Sequence, residues 1–208
     1  MFENLNAKIS ADRSSLKLRL YTMLLPLCFA LLFVGCAAAE EECSGVDCKE
    51  APPAEVDLCS PEPKLYINEF MSKNEITVAD ETGKSDDWIE IFNGSNEPID
   101  IGGFYISDKE DDPLSYQIPT SSPETTTLEA GGYLLLWADS APDEGILHLD
   151  FKLKAEGESI TLTDKDGETE VDFVRYEAQE ADISFGRLPN GCGEWWAFEN
   201  PTPGAANQ

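Results

Sequence analysis

From Lys64 onward the chain is written in short runs rich in β-branched and aromatic residues: LYINEFM, EITVAD, WIEIFN, FYIS, SYQI, GYLLLWA, LDFKLK, SITLTD, EVDFVRY and DISFG. Turn clusters separate them, among them ETGKSD, GSNEP, DKEDDP, TSSPE, EAGG, SAPDEG, DKDGE and LPNGCG. No run sustains a 3.6-residue period, so little helix is expected, and the pattern predicts an all-β sandwich or barrel. Alternation assigns faces. In DDWIEIFN, Ile89 and Ile91 share the face that builds the core, and Trp88 and Glu90 occupy the other. In LHLDFKL, Leu147, Leu149, Phe151 and Leu153 share one face, while His148, Asp150 and Lys152 share the polar one. His148 therefore reads as an exposed strand residue. Asp166-Gly167 reads as the turn of a hairpin between SITLTD and EVDFVRY. GYLLLWA lacks alternation and reads as a central strand covered on both faces.

The first 63 residues have a different character. Lys8, Arg13, Lys17 and Arg19 precede the apolar run LYTMLLPLCFALLFVG, the layout of a secretory signal peptide over residues 1–35. The run falls short of the ~20 apolar residues that cross a bilayer. Its end, LFVGC, resembles a bacterial lipobox, with Gly35 before Cys36 as the lipidated residue and Phe33 where leucine is usual. Ordinary signal cleavage after an A-x-A site such as Ala37–Ala39, which removes Cys36, is the alternative. Ala37 after the cysteine points to an outer-membrane or cell-surface address rather than inner-membrane retention. Residues 36–63, rich in Ala, Glu and Pro, read as an acidic tether. Extended, it reaches on the order of 90 Å at ~3.3 Å per residue.

The whole chain carries a formal charge of −27, and loss of residues 1–35, with four basic and two acidic groups, leaves −29. Such a field repels phosphate backbones and excludes nucleic acid as a partner class. Cys28 leaves with the signal and Cys36 takes lipid, so Cys43, Cys48, Cys59 and Cys192 remain. Outside the cytoplasm an even number reads as two disulfides with three possible pairings. Cys43–Cys48 and Cys59–Cys192 is the favoured set. CSGVDC has four residues between its cysteines and no histidine nearby, which disfavours zinc.

Catalytic constellations are hard to assemble. Glycoside hydrolysis needs two carboxylates across a substrate at ~5–9.5 Å, but Asp87 and Glu90 are three apart and face opposite ways on a strand. His148 is the one histidine, no G-x-S-x-G elbow occurs, and Gly102-Gly103 opens a strand rather than a helix. Calcium is the strongest chemical alternative: Asp108, Glu110, Asp111 and Asp112 crowd one loop and offer the oxygens that Ca²⁺ requires. Trp195-Trp196 gives one core aromatic, leaving the other as an edge cover or as a ligand or carbohydrate platform.

INEFM, DWIEIFN, PIDIGGFYISD, LEAGGYLLLWAD, FKLKAEGESITLTDKDG, ISFGRLPNG and PTPGAAN, in this order, resemble a bacterial lamin-tail domain over about Leu65 to Asn207. The resemblance implies an immunoglobulin-like β-sandwich and a non-catalytic accessory or anchoring module. It places Gly102-Gly103 and Gly131-Gly132 at tight turns before strands, and Phe104 and Trp137 in the core. It sets Arg187 against a loop or a carboxylate, and lays the PTPGAAN tail beside the start of the domain. The expected protein is a lipid-anchored module outside the cytoplasm, held to the membrane through its lipid. It would meet an envelope or extracellular protein or a glycan, with no cofactor beyond a calcium ion. The alternative is a calcium-dependent adhesion or carbohydrate-binding module.

Overall fold

The computed structural model describes residues 64–208. Two antiparallel sheets enclose one core, the layered arrangement of an immunoglobulin-like sandwich. The larger sheet comprises β1 (Leu65–Met71), β2 (Asp87–Asn93), β7 (Tyr133–Ala138), β10 (Ser184–Leu188) and β11 (Glu194–Phe198), in the order β11-β10-β1-β2-β7. The smaller comprises β4 (Tyr105–Ser107), β5 (Tyr116–Gln117), β8 (Ser159–Thr163) and β9 (Glu170–Arg175), in the order β5-β4-β8-β9. A two-stranded piece, β3 (Ile99–Asp100) with β6 (Thr127–Leu128), closes one side, and α1 (Pro123–Thr126) is a single turn.

A bulge explains the sequence of the central strand. Pairing of β1 with β2 runs Leu65–Asn93, Tyr66–Phe92 and Ile67–Ile91, then skips Asn68 and resumes at Glu69–Glu90, Phe70–Ile89 and Met71–Trp88. The skipped residue resets the alternation, so Leu65, Ile67 and Phe70 all face the core although their spacing is irregular. Ile89 and Ile91 meet them from β2, and Ile106, Ile160, Leu162 and Val174 close the core from the smaller sheet. Phe104 belongs to this core, while Trp137 packs with Trp88 and Met71 in a second cluster on the opposite face of the large sheet.

That opposite face, carrying Trp88 and Glu90, is covered by loops rather than wet, and both residues are fully buried. Val78 and Leu147 lie over Trp88 and Trp137. Tyr66, Phe92 and Tyr133 stack in a row, with centroids 6.4 and 4.9 Å apart. A Cβ on Gly191 would sit 2.9 Å from Tyr66 Cδ2, which brings the turn after β10 down onto that row.

Three local expectations are corrected. EITVAD forms no strand, because Asn74 organises it as a loop: its amide donates to Val78 O and Asp86 O, and its Oδ1 accepts from Thr77 N–H. GYLLLWA supplies β7, which ends the ladder of the large sheet and leaves Leu134 and Leu135 half-buried. LHLDFKL is also not a regular strand. It touches β7 through an isolated bridge at Trp137–His148 and the adjoining Asp139 through another to Lys152. Its apolar residues Leu149, Phe151 and Leu153 are buried as expected, yet His148 is fully buried too.

Candidate functional site

The loops over the large sheet are fastened by carboxylates. Glu69 and Glu90 stand opposite each other on β1 and β2, both with no exposed surface. Glu69 accepts from Ser184 Oγ, from Thr202 N–H at 3.1 Å and from Thr202 Oγ1 at 2.9 Å. Glu90 accepts from Asn68 Nδ2 at 2.8 Å and from Gly204 N–H at 2.6 Å. Asn207 completes the clasp, donating to Arg187 O at 2.8 Å and to Asn68 O at 3.2 Å. Gly186 admits it, since a Cβ there would lie 2.6 Å from Asn207 Nδ2. Burial pushes the Glu90 carboxyl up to about 8, against the Asn68 and Gly204 hydrogen bonds and with the Glu69 charge adding to the rise. The PTPGAAN tail thus lies against the first strand.

Arg187 serves the bulge beside this clasp. Its guanidinium donates to Asp172 at 2.8 and 3.1 Å and to Ile67 O at 3.0 Å, while Asp172 accepts from Ile67 N–H at 2.8 Å. Both backbone groups of Ile67 are satisfied in this way. Trp195 lies 4.6 Å under the guanidinium and stacks on Phe185 at 6.0 Å, so it is the core-side tryptophan. Trp196 faces outward on the edge strand β11, 57 % exposed.

The acids of the Asp108 loop do not gather. Glu110 pairs with Arg175, Asp108 Oδ2 points to Lys154 Nζ at 3.8 Å, and Asp111 and Asp112 are exposed. Asp108 Oδ1 is buried without a hydrogen-bond donor. Asp87, half-buried, accepts from Asn74 N–H at 3.1 Å, and Glu90 sits on the opposite face within the clasp. Cys192 is half-buried in the turn before β11. Cys36, Cys43, Cys48 and Cys59, and with them the lipid anchor, the Cys43–Cys48 pairing and the Cys59 half of the Cys59–Cys192 pairing, lie outside the described residues.

The histidine lies where sequence reasoning did not place it. Its Nδ1 is 2.7 Å from Asp139 Oδ2 and its Nε2 is 3.1 Å from Glu81 Oε1. Burial alone would lower the imidazole pKa, but the hydrogen bonds to Asp139 and Glu81 outweigh it and raise it. Asp80, Asp139, Glu144 and His148 each offer one donor atom within 4.8 Å of the others. Asp80 is itself held by Thr82 N–H at 2.8 Å and Lys84 N–H at 2.9 Å, and the Lys84 ammonium holds Glu144. The sequence signals for this site were an acid-rich ETGKSDD turn and a lone histidine, with nothing to show that the loops bring them together.

The family model of the lamin tail domain matches residues 60–178. The chain belongs to the lamin tail domain family. These are immunoglobulin-like, non-catalytic domains, and the antiparallel β-sandwich conforms to that fold. Among curated proteins none matches the chain. The family match ends before β10 and β11, so the clasp formed by Ser184, Asn207 and their neighbours is completed by residues beyond it.

Proposed function

We propose that this lamin tail domain is a non-catalytic interaction module. It is displayed outside the cytoplasm of a bacterium by a lipid on Cys36 and a tether over residues 36–63, and it serves the cell envelope. One observation carries the non-catalytic part. The residues that could have made a catalytic pair, Glu90 and Asp87, each hold backbone from a neighbouring loop or tail. The lipid and the envelope address rest on the LFVGC segment and the charged n-region. Labelled palmitate is expected to enter the wild-type protein and not Cys36→Ala. Membrane association that survives Cys36→Ala would remove the anchor.

Trp196 favours a second reading, a carbohydrate-binding module, because an exposed indole on an edge strand offers an apolar platform for a sugar ring. Trp196→Ala is expected to leave stability within ~0.5 kcal/mol while abolishing any retention on a glycan column. Retention by wild type and variant alike would exclude the indole as the platform. Calcium at Asp108, Glu110, Asp111 and Asp112 belongs to the adhesion form of this reading. Equal melting temperatures in calcium and in EDTA would remove it.

A further inference from the structure

We propose that Asp80, Asp139, Glu144 and His148 form a binding site for a divalent transition-metal ion of the zinc class, with Asp86 at its edge. The four donor atoms already lie within 4.8 Å of one another. Ligands held at ~2.0–2.2 Å around tetrahedral zinc are ~3.3–3.6 Å apart, so a pair at the 4.8 Å limit needs to close by about 1 Å. One imidazole with carboxylates suits zinc or manganese, whereas calcium takes oxygen ligands throughout. The ring is fully buried and the Asp139 side chain is 2 % exposed, which fixes two ligands on packed structure. Asp139 follows β7 directly, and Asp80 is clamped by Thr82 and Lys84.

A second observation, independent of the cluster's own hydrogen bonds, points to a missing cation. β2 pairs with β7 at Asp87–Ala138, so the next position brings Asp86 across from Asp139. Like charges opposite each other on neighbouring strands destabilise a sheet. Asp86 Oδ2 is nevertheless buried with no hydrogen-bond donor among the described residues. A buried carboxylate oxygen without a donor, on a residue set across the ladder from a second acid, is costly unless a cation joins them. Lys84 and Lys152 supply part of that charge from the surface side. In the metal-bound state the ion replaces a proton on the coordinating ring nitrogen, and that proton passes to solvent.

The site is independent of the glycan reading at Trp196 and of the Asp108 loop. Its test uses the full chain in detergent with oxidised cysteines, dialysed against EDTA and titrated with Zn²⁺, Mn²⁺, Ca²⁺ and Co²⁺. One equivalent of Zn²⁺ or Mn²⁺ is expected to bind and raise the melting temperature. Asp86→Asn and Glu144→Gln, which alter partly exposed or surface groups and leave the core intact, are expected to weaken binding about tenfold or more. The Co²⁺ form is expected to show visible bands without a thiolate charge-transfer band. Three results would overturn the site: no Zn²⁺ or Mn²⁺ binding, binding indifferent to both substitutions, or a thiolate band assigning the metal to cysteine. A stabilisation given by Ca²⁺ alone and lost in Asp108→Asn would likewise assign the ion elsewhere.

Discussion

Two groups of buried acids cover the same sheet, and they differ in how their oxygens are used. In the clasp, all four carboxylate oxygens of Glu69 and Glu90 accept hydrogen bonds, from Ser184, Thr202, Asn68 and Gly204. In the cluster around His148, Asp139 and Asp80 are also satisfied, yet Asp86 Oδ2 is buried with no donor. Fully donated carboxylates fasten chain to chain, which is a structural task. A carboxylate left short of donors beside others of its charge marks a place where something positive belongs. Composition does not distinguish the two groups, since both are Asp and Glu next to apolar strands. The distinction lies in the donors.

The largest effect is expected where the satisfied side depends on one cation. Arg187→Ala would leave Asp172 without its ion-pair partner at a pair only 14 % and 11 % exposed, and would strip Ile67 O of its donor. Breaking a buried pair in this way costs about 3–5 kcal/mol, read as a drop in stability by chemical denaturation. A loss within ~0.5 kcal/mol, the usual size for a surface substitution, would show that the bulge in β1 does not need its clamp. Arg187→Lys tests the geometry of the fork, since a single ammonium cannot reach Asp172 and Ile67 O together.

Next comes the proton that the clasp holds. A glutamate ordinarily titrates near 4.5, and folded Glu90 is pushed up to about 8. Between those values the folded state binds a proton that the unfolded chain has released. Stability therefore falls as pH rises through the window, by about 1.4 kcal/mol per pH unit, and levels off above about 8. Glu90→Gln keeps the side chain neutral and removes the Glu90 share of this slope, leaving that of His148, whose raised pKa acts in the same direction. Parallel stability–pH curves for wild type and Glu90→Gln would show that the proton is not on Glu90.

Much of this fold was legible in the order of runs and turns. INEFM, DWIEIFN and the Asp166-Gly167 turn fell on β1, β2 and the turn between β8 and β9, because alternation and turn chemistry are local. Arg187 and the C-terminal tail were also placed correctly, through the family resemblance. What was not legible was which loops cover the outer face of the large sheet. Period two assigns Trp88 and Glu90 to one face, but cannot say whether that face is wet, since the cover arrives from residues 78, 147 and 191–207. His148 failed for the same reason. Its neighbours alternate as in a strand, but the segment is a loop held by two single bridges, and its acidic partners lie 9 and 67 residues away.

The smallest effect separates the two acid groups most sharply. In metal-free protein, Asp86→Asn removes a charge facing Asp139, a charge whose own pKa is raised by burial first and by Asp139 next. It also supplies an amide that can donate to a neighbouring carboxylate. Relief of a like-charge cross-strand pair is worth about 0.2–1 kcal/mol, so the variant is expected to be slightly more stable than wild type without metal. With saturating Zn²⁺ the order reverses, because wild type gains the binding free energy and the variant gains less. The same change at the clasp, Glu90→Gln, is indifferent to Zn²⁺ at any concentration, since no oxygen there lacks a donor. Thermal melts of the three proteins with and without Zn²⁺ therefore form one experiment. A crossing for Asp86→Asn and none for Glu90→Gln supports the division between fastening acids and ligand acids; identical responses to Zn²⁺ in both variants would erase it.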